Sequence, residues 1–351
     1  MRRLPAEWEK QSAVLVALPR EKSDWSPYLG DILEFYRELI TVIARYEKVI
    51  VVCADEKKAR ELLGASAREA VFVEALTNDT WARDFGFITA EEDGEAVLLD
   101  YTFNGWGAKF AADLDDQVNS RLIAAGLFSG AKYEKKSLIL EGGSVESDGA
   151  GTIMTTATCL FAPNRNFGLT REDFEREFAA DFGAKRGRVL WLENGRLEND
   201  DTDAHIDTLA RFASPETIMY VGCADASDPH YEPLANMKDE LMAFRTAAGK
   251  PYNLVELPMA EPIYFNGERL PATYANFLFV NGAVLAPTYG EPICGSRADK
   301  EALNIFRETF PNREIVPIDC RVPIRQHGSL HCLTMQFPSI ISRAGKAVAT
   351  Y

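Results

Sequence analysis

The chain has no Cys-x-x-Cys pair. Its six cysteines, Cys53, Cys159, Cys223, Cys294, Cys320 and Cys332, are widely scattered, which argues against both a disulfide framework and a zinc ribbon. Positive charge is also scarce. Against 53 aspartates and glutamates stand 38 lysines and arginines, a formal net charge of −15. Phosphate binding needs a basic face, so nucleic acid is not an expected partner. The acidity serves solubility, or it concentrates a cationic substrate in a cleft. No run approaches the roughly 18 apolar residues of a membrane span, so no membrane partner is expected. The early arginines are followed by Pro5, Glu7 and Glu9 rather than an apolar stretch, so no signal peptide is read there. A reducing cytoplasm, where free thiols persist, is the expected compartment. No Gly-x-Gly-x-x-Gly follows a strand-like run, which counts against a simple dinucleotide-binding fold. Low-complexity linkers and recognisable internal repeats are missing too. Length alone suggests about two domains, but without a linker residues 1–351 read as one compact domain. The oligomeric state is left open, a homo-oligomer included.

What is present is an alternation of strand-like and helix-like runs, the pattern of an α/β protein with mixed sheets. Ala13 to Leu18, Val49 to Cys53 and Val71 to Val73 read as buried strands. Ser26-Pro27 reads as an N-cap and first-turn proline, opening a helix whose Ile32, Phe35, Tyr36, Leu39, Ile40 and Ile43 keep three-four spacing. A short charged helix is expected to run to Leu63, and another from Ala111 to Leu127. Thr170 and Asp173 form a capping-box pattern. Leu234, Met237, Leu241 and Phe244 mark one amphipathic helix, and Leu303, Phe306 and Phe310 another. Asn281-Gly282 lies between two apolar runs, and its preference for positive φ at both turn positions predicts a tight hairpin.

Four segments carry candidate chemistry. Thr77 to Gly86, with Trp81, Arg83 and Asp84, reads as a polar loop: either Trp81 and Asp84 face a ligand, or Arg83 forms a surface salt bridge. Ser137 to Leu140 is an apolar strand that delivers Glu141 onto Gly142-Gly143. Glycine permits close backbone approach, while a solvent-facing Glu141 is the alternative. In Asn199 to Leu209, five carboxylates and amides crowd His205. His205 and Asp207 share a face if that segment is extended, and an imidazole beside a carboxylate suits acid–base work near neutral pH. Finally, Arg325-Gln326-His327-Gly328-Ser329-Leu330-His331-Cys332 places a thiol after two histidines. On a helix, His327 and His331 could ligate zinc, but Gly328 and the flanking Pro323 and Pro338 favour irregular chain. Cys332 is a nucleophile candidate or a buried small hydrophobe. The other five cysteines are assigned the latter role.

Taken together, Asn78 to Gly86, Glu141 to Thr152, Asp201 to Asp207, Tyr274-Ala275-Asn276-Phe277 and Arg325 to Thr334 resemble, in order and over nearly the whole chain, the agmatine deiminase and bacterial-type peptidylarginine deiminase family. The resemblance implies the pentein fold, a five-bladed α/β propeller with pseudo-fivefold symmetry and a site at its axis. It implies Cys332 as nucleophile and His205 as general acid/base. Asp84 and Asp207 would grip the guanidinium, and Glu141 would orient His205. Trp81 would line the pocket, and Asp203 would help recognise a distal ammonium. No cofactor and no metal are implied. The expected partner is a small cationic guanidine, and the expected reaction converts agmatine to N-carbamoylputrescine and ammonia. The nearest alternative is deimination of peptide arginine, and a distant one is a metal-dependent hydrolase using His205, Asp207, Asp203 and His331. Three departures from the family pattern are expected to alter the pocket walls: Phe87 for a proline, Ala204 for a glycine, and Gln326-His327-Gly328 with Met335-Gln336 around the cysteine.

Overall fold

The structure is a computed structural model that describes residues 1–291 and 293–343. Residues 344–351 of the expected single domain lie outside it. In chain order the first elements are β1 (Arg2–Arg3), β2 (Gln11–Ala17), α1 (Leu29–Ile43), β3 (Lys48–Cys53), α2 (Glu56–Leu63) and β4 (Val71–Glu74). Next come α3 (Ala82–Phe85), β5 (Ile88–Glu92), β6 (Glu95–Thr102), α4 (Gly105–Ala108), α5 (Val118–Ala124) and β7 (Lys132–Ile139). The middle of the chain holds β8 (Val145–Ser147), β9 (Ile153–Thr156), α6 (Ala157–Leu160), α7 (Arg171–Phe182) and β10 (Val189–Leu192). Then follow β11 (Ala210–Ser214), β12 (Thr217–Val221), α8 (Tyr231–Ala243) and β13 (Asn253–Leu257). A hairpin, β14 (Tyr264–Phe265) and β15 (Glu268–Arg269), leads to β16 (Leu278–Val280), β17 (Ala283–Thr288), α9 (Arg297–Thr309), β18 (Glu314–Asp319) and β19 (Thr334–Pro338).

The sheets share one plan. The orders are β19-β2-β3-β4, β1-β5-β6-β7, β8-β9-β10, β11-β12-β13 and β16-β17-β18. Each contains a strand paired antiparallel on one side and parallel on the other: β2, β6, β9, β12 and β17. Parallel neighbours need a crossover, and α1, α5, α7, α8 and α9 lie in those five connections. Strand β19, from the end of the chain, completes the sheet of β2, near its start. No helix among the described residues is long and apolar enough to cross a membrane.

Local sequence accounts for much of this. Strand β3 (Lys-Val-Ile-Val-Val-Cys) is buried from Val49 onward, as suits a strand flanked by parallel neighbours and covered on both faces. Helix α1 buries the six residues of its apolar stripe and no others, each worth about 1.5–3 kcal/mol when fully removed from water. Thr170 and Asp173 form the capping box of α7. Other expectations need correction. Ser26 does not cap α1: the chain enters through a 3-10 turn, Ser26–Tyr28, and the serine hydroxyl bonds instead to the Ser23 and Glu21 carbonyls. The helix expected over Ala111–Leu127 is shorter, a 3-10 turn followed by α5, because Asp113 and Asp115 bond Asn78 and its neighbouring backbone and hold the preceding residues as loop. Phe244 caps α8 rather than continuing it, and Phe310 does the same for α9. The Asn281-Gly282 hairpin forms with Val280 opposite Ala283, but of the two only Gly282 has positive φ. The Asn281 side chain exchanges hydrogen bonds with the Gln11 backbone, tying two sheets together.

Candidate active site

Each connection from the last strand of one sheet to the first strand of the next brings one group to a common place. The β4–β5 connection carries Trp81 and Asp84, and the β7–β8 connection carries Glu141 and Gly143. His205 and Asp207 lie between β10 and β11, Asn276 just before β16, and Cys332 just before β19. Such placement puts polar residues on loops fixed by rigid strands.

Gly143 locates the centre. A Cβ built on it would lie 2.5 Å from His205 Nδ1, 2.9 Å from Asp84 Oδ1 and 3.2 Å from Asp207 Oδ2. Asp207 Oδ2 is in turn 3.9 Å from the Cys332 sulfur. Asn276 Nδ2 donates to that sulfur at 3.3 Å, while its Oδ1 accepts from the backbone of His331 and Cys332. Asp84 accepts from Gly143 N at 3.0 Å and Trp106 Nε1 at 2.9 Å, and lies 3.7 Å from His205 Nδ1. Asp84, Glu141, His205, Asp207 and Cys332 are all buried. Two of these groups are incompletely bonded: both ring nitrogens of His205 and Oδ1 of Asp207 have no hydrogen-bond partner among the described residues. Buried polar atoms are rarely left so; His205 Nδ1 lies toward Asp84 and the Gly143 α-carbon.

Burial and mutual repulsion set the charges. Burial, with Asp207 and Glu141 nearby, pushes Asp84 up to about 6, although His205 and Trp106 oppose the shift. Burial works against ionising Asp207, but its hydrogen bond to His331 and the charges of His331, His205 and Arg211 hold it below the usual range. For His205 burial opposes the charge, while Asp84, Cys159 and Glu141 outweigh it, so the imidazole sits well above the ordinary histidine range. Burial and the carboxylates of Asp207 and Asp84 push the Cys332 thiol well above its ordinary range. These shifts favour the neutral thiol and the imidazolium.

A narrow pocket opens from Cys332 and Asp84 past Trp81, Trp106 and Phe110 to Asp24, Asp79, Asp201 and His327. No lysine or arginine is among the described residues that line it. Trp81 thus lies in the pocket wall, and a Cβ at Gly328 would collide with its ring at 2.1 Å.

The structure treats the remaining candidates differently. Residues 82–85 of the expected loop form a helical turn. Glu141 is not solvent-facing: Arg165 Nε donates to both its oxygens, at 2.8 and 3.1 Å, and both side chains are fully buried. Its hydrogen bonds go to Arg165, although it lies within 4.8 Å of a His205 nitrogen. Asp203 faces Arg165 at 2.6 Å and Lys109 at 2.7 Å, so its charge is already answered. His205 and Asp207 are not in extended chain: residues 206–208 form a 3-10 turn that turns both side chains inward. His331 engages Asp207 and Glu7 through its two ring nitrogens, at 2.7 and 2.6 Å, so the set His205, Asp207, Asp203 and His331 does not converge as metal ligands. The donor groups that do converge are Glu141, Cys159 and His205, and Glu7, Glu146 and His331. Each already holds a cation, Arg165 in the first and Arg211 in the second. Cys159 is therefore a neighbour of His205 rather than a mere space-filler, and Cys223 and Cys294 are only partly buried. Of the departures named from the sequence, Gln326, His327 and Gly328 line the pocket. Phe87 packs against Phe128 and Tyr133, and Met335 lies against Gly86 and Gly142.

The sequence profile of the Porphyromonas-type peptidyl-arginine deiminase family matches residues 3–338. The chain belongs to that family. A crystal structure of a proposed arginine deiminase from Porphyromonas gingivalis is 46% identical, covers 96% of this chain and 98% of its own, and has a TM-score of 0.90. A cysteine-to-serine variant of C. jejuni agmatine deiminase with substrate bound is 39% identical over 96% of each chain, with a TM-score of 0.89. The agmatine deiminase of Medicago truncatula is 30% identical over 96% of each chain. Within this deiminase-family chain, the residues alone give Asn276 and Asp201 no role and do not single out Trp106 or Arg165. Asn276 and Asp201 both lie inside the stretches that carry the family resemblance. Trp106 sits in Asn104-Gly-Trp-Gly107, where Gly105, Trp106 and Gly107 all have positive φ, so its glycines were the available signal. Arg165 has no local signal that sets it apart from other charged residues.

Proposed function

We propose that this chain hydrolyses the guanidinium of agmatine, giving N-carbamoylputrescine and ammonia. The observation that carries the reading is the set of unpartnered buried atoms, Asp207 Oδ1 and the His205 nitrogens, in the site that also holds the Cys332 sulfur. A guanidinium stays protonated in proteins and offers five N–H donors in a plane. Asp84 and Asp207 would fork it, each contact worth ~4 kcal/mol at ~4 Å and an effective dielectric of about 20, before desolvation. This orients the cation but falls short of a full rate enhancement.

Binding the cation also changes the thiol. Its charge offsets the two carboxylates, so Cys332 releases its proton to solvent as substrate binds, with Asn276 donating to the sulfur. The thiolate attacks the guanidinium carbon. The bond to one terminal nitrogen breaks as the His205 imidazolium protonates it, and ammonia leaves. The remaining S-alkylthiouronium is attacked by water, whose proton returns to His205. The carbon–sulfur bond then breaks, releasing the ureido product and regenerating the thiol. Glu141, fixed by Arg165, would hold the charge environment of His205. A cysteine-to-serine change that leaves substrate bound in the C. jejuni relative fits a thiol nucleophile.

The pocket supports agmatine over peptide arginine. Its aromatic walls and acidic mouth suit a second cationic end, and no lysine or arginine among its described lining residues could receive a peptide carboxylate. Asp201 replaces Asp203 as the acid offered to a distal ammonium, because it lines the pocket while Asp203 is paired. We further propose a single domain with the pentein arrangement, five blades around the site. The repeated sheet plan and the five inter-sheet connections that meet there support it. The six free cysteines suit a cytoplasmic location, and the acidic charge suits small cations rather than nucleic acid.

The test compares ammonia release from agmatine and from a C-terminal-arginine peptide, with Cys332→Ser as control. Turnover of agmatine by the parent chain, lost in the variant, is expected. Preference for the peptide, or near-normal turnover by Cys332→Ser, refutes the reading.

A further inference from the structure

Neighbouring residues His331 and Cys332 face different pockets. Cys332 lines the pocket just described, whereas His331 lines a second, narrow one together with Glu7, Arg83 and Glu146. The imidazole is 2% exposed and spans two carboxylates, with Nδ1 2.7 Å from Asp207 Oδ2 and Nε2 2.6 Å from Glu7 Oε2. A neutral imidazole has one N–H and one lone pair, so it cannot donate at both ends. Either the ring carries two protons or one carboxyl is protonated.

The surroundings of Glu7 decide between these. Arg211 Nη2 donates to Glu7 Oε2 at 2.6 Å, and the backbone of Phe279 donates to Oε1 at 2.8 Å. Burial opposes its charge, yet Arg211, His331 and Arg83 together hold Glu7 far below the usual carboxylate range. Arg211 is anchored in turn by Glu146 and lies over the Phe277 ring at 4.8 Å. At the other end Asp207 gives one oxygen to His331 and keeps Oδ1 unpartnered. The charged and titratable groups around Asp207 are His331, His205, Arg211, Arg83, Asp84 and Cys332. His331 makes the short hydrogen bond to its carboxylate, 2.7 Å against 3.9 Å for the Cys332 sulfur.

We propose that His331 is a positioning residue: an imidazolium clamped between Glu7 and Asp207 that keeps Asp207 ionised and turns its free oxygen toward the guanidinium. The chain Glu146, Arg211, Glu7, His331, Asp207 alternates in sign, so each charge is answered by the next within the buried protein. This rests on the deiminase reading and assigns to that reaction a group that touches neither substrate nor thiol chemistry directly.

The test uses His331→Gln and Glu7→Gln in the full chain, with kcat and KM for agmatine measured from about pH 5 to 9. A glutamine presents an amide to only one carboxylate, so kcat/KM at neutral pH should fall by roughly tenfold to a hundredfold, the scale of a hydrogen bond to a charged group. The acid limb of kcat/KM, which follows Asp84 in the parent chain, should steepen and move to higher pH, because Asp207 loses the cation that holds its proton off and a second carboxylate then titrates in it. Glu7→Gln should move it in the same direction by less. A merely scaffolding histidine would lower thermal stability and leave the limb in place, and that result overturns the proposal. If His331→Gln does not fold, side-chain nitrogen NMR of the parent chain decides, since only four histidines are present. Both ring nitrogens of His331 should carry hydrogens, one facing Asp207 and one facing Glu7, and a bare ring nitrogen there overturns the proposal. Failure of the parent chain to turn over agmatine would refute the substrate reading alone, because the NMR state of His331 stands apart from activity.

Discussion

The α-carbon of Gly143 faces the ring of His205 so closely that an added methyl group would lie 2.5 Å from Nδ1. The same methyl would meet Asp84 and Asp207 oxygens at 2.9 and 3.2 Å. Nothing at that point is a flexible chain end, since all three groups are buried and held by short segments. Gly143→Ala should therefore leave a folded protein by circular dichroism with agmatine turnover reduced at least about a hundredfold, the scale at which ~1 Å misplacements act. Gly30→Ala, in α1 with nothing within 4 Å of the new methyl, should keep full activity and gain up to about 1 kcal/mol of stability. Normal turnover by Gly143→Ala would show that the point is not part of the working site.

The acid limb of the pH–rate profile should follow Asp84. Its carboxyl, raised to about 6, must be ionised to hold a cation, so kcat/KM falls as the pH drops through that value. A bound guanidinium favours the carboxylate, so the limb of kcat lies lower than that of kcat/KM. Trp106→Phe removes the hydrogen bond from Nε1 to Asp84, which favours the charged form, and should move the limb up by about one unit. Stability follows the opposite sense. The folded value lies above the unfolded 3.8, so the folded state binds more protons between 3.8 and about 6 and this group lowers stability as pH rises through that window. A limb that Trp106→Phe leaves unmoved would assign it to another group.

Arg165 and Glu141 are a fully buried ion pair. Removing one partner strands the other charge, at a cost of about 3–5 kcal/mol, whereas replacing both by apolar groups is often near neutral. Arg165→Met should thus lower the denaturant midpoint strongly, and Arg165→Met combined with Glu141→Leu should recover most of the loss without recovering activity. A double variant destabilised by the sum of the Arg165→Met and Glu141→Leu losses would mean that the pair is not coupled.

The six thiols should separate by reagent charge. Cys223 and Cys294 are partly exposed, while the others are buried. At neutral pH a neutral alkylating agent should modify Cys223 and Cys294 first and spare activity. A cationic haloacetamidine should modify Cys332 and abolish turnover, because a positive charge between Asp84 and Asp207 favours the thiolate. Peptide mass mapping distinguishes these, and faster inactivation by the neutral agent would contradict the charge argument.

Local patterns were legible where a residue's neighbours in sequence are also its neighbours in space. The apolar stripe of α1, the capping box at Thr170 and the hairpin at Asn281-Gly282 are of this kind. The same reasoning failed where a distant partner competes for the local group. Ser26 gives its hydroxyl to loop carbonyls, Asp113 and Asp115 hold the start of the expected helix open from Asn78, and Asn281 spends its side chain on Gln11 rather than on a left-handed turn. At the site, Cys332, His205, Asp84 and Asp207 stood out because thiols, imidazoles and clustered carboxylates are chemically conspicuous. Arg165, Asp201 and Trp106 did not, since surface arginines, aspartates and core tryptophans look alike until their surroundings are known.

The amino-acid order alone determined which segments become strands and helices, that the sheets are mixed, and which chemically distinctive side chains the loops carry, because periodicity and reactivity are properties of short stretches. Only tertiary structure decided how the charges are paired. It gave Glu141 to Arg165, filled Asp203 with two cations, placed Asp201 in the pocket wall and set His331 between Glu7 and Asp207. Electrostatic energy depends on distance and burial through space, and residues 7, 207 and 331 come within hydrogen-bonding reach only when the last strand, β19, pairs beside β2.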